Sequence, residues 1–157
     1  MDSGLREKAL RLLAQREYSR AELTRKLATR TEDQEEIPAL LDHLEQVGLL
    51  SDRRFAESYV RAHAARSGAT SLRFDLRLKG VADEVAEAAL ASELDADTGE
   101  FGDEMARARA LWQRKFAAAP ADAREYGRQA RFLQGRGFSA DIIHTLLKFS
   151  GDQADSE

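Results

Sequence analysis

The chain contains no cysteine. Disulfides and thiolate metal sites are therefore excluded, and nothing points to an oxidising compartment. Proline is nearly absent, two in 157 residues, so little interrupts helix formation. No Val/Ile/Thr alternation is long enough for a strand. No apolar run approaches the roughly 18 residues of a membrane span. The opening "MDSGLREKALRLLAQ" is charged and amphipathic from its start, unlike a secretory signal. What is abundant is Ala, Leu, Arg and Glu, which favour helix almost throughout. The expectation is an all-α, cytoplasmic protein with no membrane association.

Signatures of catalysis are also missing. His43, His63 and His144 are isolated and form no His-x3-His pair. There is no Gly-rich phosphate loop, Walker pattern or Ser elbow. No enzymatic activity, metal or cofactor is expected, and the histidines belong at helix surfaces or core edges. Trp112, Phe116 and Ala108 make a helical stripe that reads as core rather than as a base-stacking platform.

The net charge of -4 conceals a strong pattern. Residues 51–80 carry seven Lys and Arg against three Asp and Glu, a net of +4. Residues 81–105 carry nine acids and no Lys or Arg. Residues 106–148 return to nine against three, a net of +6. Two basic blocks divided by an acidic one leave an anionic partner open despite the acidic total. The helix "DEVAEAALASEL" reads as an ordinary solvated face, with Val85, Ala89 and Leu90 inward and Asp83, Glu84, Glu87 and Glu93 outward.

Four stretches share a design: "LAQREYSRAELTRKL", "LEQVGLLSDRRFAESY", "LRLKGVADEVAEAAL" and "LQGRGFSADIIHTLL". Each starts at a leucine (Leu13, Leu44, Leu76, Leu133) and reaches a small residue (Ser19, Ser51, Ala82, Ser139) six or seven positions later. Gly48, Gly80 and Gly137 precede three of these small residues, and glycine tolerates the left-handed conformation that ends helices. The serine hydroxyls can cap the next helix. Tyr18, Leu50, Val81 and Phe138 can staple each turn.

This punctuation places nine helices: Leu5–Arg16, Arg20–Ala28, Gln34–Val47, Asp52–Arg66, Leu72–Lys79, Asp83–Leu94, Glu100–Ala118, Asp122–Arg136 and Ala140–Phe149. Grouped in threes they give repeats over residues 1–50, 51–98 and 99–149, then an acidic flexible tail, 150–157. "ATRTEDQEE", "LDADTGEFG" and "SGDQADSE" should be the least ordered stretches, being polar and poor in apolar residues.

The stretches "LLAQREYSRAELTRKL", "LLDHLEQVGLLSDRRFAESYVRAHA", "LRFDLRLKGVADEVAEAAL" and "RFLQGRGFSADIIHTLLK" resemble, in order and spacing, the signature segments of the bacterial RecX family, regulators of the RecA recombinase. The likeness runs over about residues 5–149. It implies three tandem three-helix repeats, helix-turn-helix-like units forming an elongated, curved array. It implies binding in the groove of the RecA–single-stranded-DNA filament, with inhibition of filament extension, ATP hydrolysis and strand exchange. It implies no enzymatic activity of the protein's own; a monomer is the expected state. Gly135 stands where a basic residue commonly precedes the family's Arg-Gly-Phe, and the acidic block is a second departure; both point to weak direct DNA binding.

The partner- or DNA-binding residues expected are Arg73, Arg77 and Lys79 before Gly80; Arg107, Arg114 and Lys115 on one long helix; and Arg124, Arg128, Arg131 and Arg136 on the next. Arg124, Arg128 and Arg131 are spaced by four and three and share a face. These cations could meet phosphates or acidic patches. They could equally cover apolar surface with their stems and pair with Glu125 and Asp122. An autonomous DNA-binding protein and a helical adaptor are the other function classes. "SADIIHTLLK" makes a poor recognition helix, because base-reading Arg, Asn or Gln are lacking near its start.

Overall fold

Local capping chemistry sets many of the helix ends, as the pattern of serines and glycines requires. A computed structural model describes residues 3–94 and 103–154. Among them the helices are α1 (Ser3–Gln15), α2 (Arg20–Ala28), α3 (Glu36–Gln46), α4 (Asp52–His63), α5 (Ala69–Leu78), α6 (Asp83–Glu93), α7 (Glu104–Lys115), α8 (Ala123–Gly135) and α9 (Ala140–Ala154), with a 3-10 turn at Ala64–Arg66 after α4. No strand occurs among the described residues.

The three predicted glycine turns adopt left-handed backbone, with φ of 81° at Gly48, 81° at Gly80 and 88° at Gly137. Each returns an amide to the leucine that opens its repeat. Leu50 N donates to Leu44 O (3.1 Å), Val81 N to Leu76 O (3.0 Å) and Phe138 N to Leu133 O (3.2 Å). Carbonyls that a helix end would leave unpaired are thereby satisfied. The serines cap as expected. Ser19 forms a full capping box with Glu22, Ser51 Oγ accepts from Arg54 N (3.1 Å), and Ser139 Oγ accepts from Ile142 N (3.3 Å). Tyr18, Leu50, Val81 and Phe138 are all buried.

Helices α7, α5 and α9 differ from their expected bounds for identifiable reasons. α7 starts at Glu104 because Asp103 caps it, accepting from Ala106 N (2.7 Å). It stops at Lys115, where Phe116 turns extended; the expected start near Glu100 lies outside the described residues. α5 starts three residues earlier than predicted. Gly68 N and Thr70 N donate to Arg136 O (2.7 Å) and Gly137 O (3.2 Å), so the segment is organised by a distant turn rather than by local sequence. α9 continues to Ala154 instead of ending at Phe149. Gly151 costs about 1 kcal/mol of helix propensity but removes no amide, and no proline follows. "LDADTGEFG" falls almost wholly, and the last three residues of the predicted tail wholly, outside the described residues.

The chain forms two units, each with its own core. The first contains residues 1–59 and 75–89, the second residues 60–74 and 90–157. In the first, Leu5, Leu12, Tyr18, Leu23, Leu27, Ile37, Leu40, Leu41 and Leu44 pack together across α1, α2 and α3. In the second, Ala108, Leu111, Trp112 and Phe116 of the α7 stripe pack against Leu133, Phe138, Ile143, Leu146 and Leu147 of α8 and α9. The stripe is therefore core, as its spacing suggested.

Candidate partner interface

The cations expected at the surface have several fates. In the second unit, Lys115, Arg128 and Arg136 gather around two phenylalanines. Phe116 and Phe132 meet edge to face, with ring centroids 5.5 Å apart. Arg128 lies 5.4 Å from the centroid of Phe116. Arg136 and Lys115 lie 5.3 Å and 5.8 Å from that of Phe132. Phe116 is buried, Phe132 half-buried and the three cations exposed. Each such contact is worth about 0.5–1 kcal/mol at an exposed site. A guanidinium resting on a ring keeps its edge N–H groups for a carboxylate or phosphate. Of these residues, Lys115, Phe116 and Arg128 border a groove of about 300 Å³, completed by Gln129, Glu125 and the alanines after α7.

Gln129, which the sequence reading did not single out, shapes this groove. It is 2% exposed. Its Oε1 accepts from Trp112 Nε1 (2.7 Å) and its Nε2 donates to Ala118 O (3.2 Å). The buried amide thus joins the core to the loop that walls the groove. A glutamine flanked by arginines on an exposed-looking helix carries no local sign of such a role.

Arg124 and Arg131 are exposed, and Arg131 lies along Gly127 of its own helix. Arg128 also pairs with Glu125 (3.5 Å), as one sequence reading allowed. Asp122 instead caps α8, accepting from Glu125 N (2.8 Å). Arg114 is exposed.

Arg107 corrects the expected set. It is 4% exposed. Its Nε donates to Ala64 O (3.2 Å) and its Nη2 to Ser67 O (3.4 Å). Burial lowers its pKa below the usual guanidinium value, against the opposing charges of Glu104 and Asp103. Glu104 accepts from Ala69 N (3.1 Å) beside it. Arg107 therefore holds the α4–α5 connection against α7 and offers nothing to a partner.

In the first unit Arg77 is exposed and pairs with Asp83 through two bonds, 3.2 and 3.0 Å. Lys79 is half-buried, 5.6 Å from the Tyr59 ring centroid and 4.0 Å from Glu22. Its carbonyl accepts from Ser19 Oγ (2.7 Å). Tyr59 Oη donates to Asp75 (2.8 Å), and burial, reinforced by that carboxylate, raises its pKa. Arg73, in the second unit, is exposed. The acidic helix is largely as expected: Ala89 and Leu90 are buried and Asp83, Glu84 and Glu87 exposed, while Glu93 pairs with Arg61 (3.3 Å).

Among the described residues no group of His, Asp and Glu could hold a metal ion, and no helix is long and apolar enough to cross a membrane. Capped helices, with no strand among the described residues, define an all-α protein of small helical units. Family models for RecX match in succession: its first three-helix domain over residues 6–44, its second over 51–90 and its third over 102–147. The chain belongs to the RecX family of regulatory proteins, which are regulators of RecA and not enzymes. It is 44% identical over 155 residues to the regulatory protein RecX of Leptothrix cholodnii, covering 98% of this chain and 94% of the relative. It is 46% identical over 142 residues to that of Halorhodospira halophila, covering 89% and 84%. The crystal structure of RecX from Lactobacillus salivarius shares the fold, with a TM-score of 0.79 at 24% identity over 95% of this chain and 96% of that one.

Proposed function

We propose that this chain binds the filament that RecA forms on single-stranded DNA, within its groove, and inhibits filament extension, ATP hydrolysis and strand exchange. The observation that carries this reading is the group of exposed cations held on Phe116 and Phe132, in a chain with all three RecX domains in order. Repeats over residues 1–50, 51–98 and 99–149 let one cytoplasmic monomer touch several filament subunits, so that avidity supplies much of the affinity. Naked DNA is bound weakly, because the net charge of -4 opposes the counterion release that drives phosphate binding.

The test is RecA's single-strand-dependent ATP hydrolysis with the protein added below stoichiometry, and naked-DNA binding measured beside it. Inhibition at low ratios with weak naked-DNA binding is expected. No inhibition at equimolar protein would sink the reading. Tight duplex binding that falls steeply with salt would instead favour an autonomous DNA-binding protein, though the apolar residues Ile143, Leu146 and Leu147 of its candidate recognition helix are buried.

A further inference from the structure

The loop joining α7 to α8 leaves hydrogen-bonding groups unused beside the groove of about 300 Å³. The amides of Ala117, Ala118, Ala119 and Ala121 and the carbonyls of Ala117 and Ala119 have no protein partner among the described residues. Gln129 adds a donor from α8. A side-chain amide carries two N–H protons. One of them goes to Ala118 O (3.2 Å), and the other has no acceptor among the described residues, although the residue is only 2% exposed. A buried donor left unpaired is costly, so an acceptor brought into the groove gains from it.

Cations stand at the rim. Lys115 is exposed, lies 5.8 Å from the Phe132 ring centroid and pairs with no carboxylate among the described residues. Arg128 meets Glu125 at 3.5 Å, but those side chains are 63% and 40% exposed, and such a pair exchanges readily for a new carboxylate. Every residue of this groove belongs to the second unit.

We infer that the groove takes a short extended segment of RecA protein, its main chain bonded to the alanine loop and Gln129 and its carboxylates set against Lys115 and Arg128. This rests on the reading that RecA is the partner. The volume suits an extended chain, since one helical turn about 10 Å across already fills about 400 Å³. Unused donors and acceptors side by side match a peptide, which supplies both, as in main-chain recognition of extended segments. A phosphodiester chain only accepts. Glu125, also on the lining, can accept from a peptide amide but repels a phosphate. No ring in the groove is open to a stacked base, because Phe116 is buried and Arg128 lies 5.4 Å from its centroid.

The test uses two variants of the full chain. Ala118→Phe fills the groove from an exposed position and keeps every charge. The double substitution Lys115→Gln with Arg128→Gln keeps the groove and removes its cations. Inhibition of RecA's single-strand-dependent ATP hydrolysis, co-sedimentation with the filament, naked single-strand binding and thermal melting are measured for each. Both variants should lose about tenfold or more in potency and co-sedimentation. Ala118→Phe should melt and bind naked DNA as the wild type does. Should it melt lower, Ala121→Phe, at another exposed position of the same groove, decides in its place. Full potency in either the filled or the neutralised variant overturns the inference and leaves the broader reading intact. Loss of naked-DNA binding in the filled variant, in step with potency, also overturns it and makes the groove a nucleic-acid site. A wild-type chain that neither inhibits nor co-sediments removes the broader reading and the inference together.

Discussion

Replacing Gly137 by alanine should destabilise the protein about 2 kcal/mol more than the same change at Gly48, although their backbones are nearly alike. Gly48 has φ of 81° and Gly137 of 88°. Each substitution therefore meets the same left-handed strain, about 1–2 kcal/mol, less about 0.4–1 kcal/mol for a stiffer unfolded chain. The surroundings separate them. A methyl group on Gly48 would meet nothing within 4 Å. One on Gly137 would overlap both the side chain and the backbone amide of Ser71. Overpacking of this kind costs about 1–3 kcal/mol. The strain and chain-entropy contributions cancel in the comparison, leaving the overlap.

Urea denaturation measures both variants, by circular dichroism and by the fluorescence of Trp112, the chain's single tryptophan, which sits in the core of the second unit. Gly137→Ala should lower the midpoint of the Trp112 transition clearly, without changing its slope. Equal losses at the two glycines would refute the argument, showing that backbone conformation alone is felt and that the approach of Ser71 is readily relieved. The larger Gly137→Val change should destabilise more still, because a β-branched residue is further disfavoured at positive φ.

Arg107→Met should cost about 2–3 kcal/mol of stability by leaving the carbonyls of Ala64 and Ser67 unpaired; unchanged melting with lost inhibition would return Arg107 to the binding surface. Changing Arg124, Arg128 and Arg131 together to Glu should weaken inhibition of RecA with helicity intact, and unaltered potency would eliminate that face. Tyr59 ionises above its unfolded pKa because it is buried and bonded to Asp75. Its stabilising contribution is therefore complete below about pH 10 and is lost as the pH climbs beyond that value. Tyr59→Phe should flatten this alkaline loss in a melting series from pH 8 to 11, and an identical slope in both proteins would count against the assignment.

The turns were readable in the linear chain because their chemistry is short-range. A glycine that must be left-handed, a serine that caps and an apolar staple all lie within a few residues, and their energies arise there. That is why Gly48, Gly80, Gly137, Ser19, Ser51 and Ser139 behave as their positions imply. The helices seen among the described residues, and their order, follow from the same signals. The cationic surface was legible only as a composition. Charge at a spacing of four says that residues share a face, but not whether that face meets water, a ring or the core. Arg128 and Arg136 rest on phenylalanines from elsewhere in the fold or one turn back. Arg107 lies inside because carbonyls some forty positions earlier surround its head group, and Gln129 is buried because Trp112 and Ala118 need its amide. Phe74 looks like any core aromatic until Leu72 and Leu76 take the inward face of α5. Capping is settled by neighbours in sequence. Burial and the pairing of a long side chain are settled by whichever segments packing brings alongside, and those identities are not carried by the residue itself.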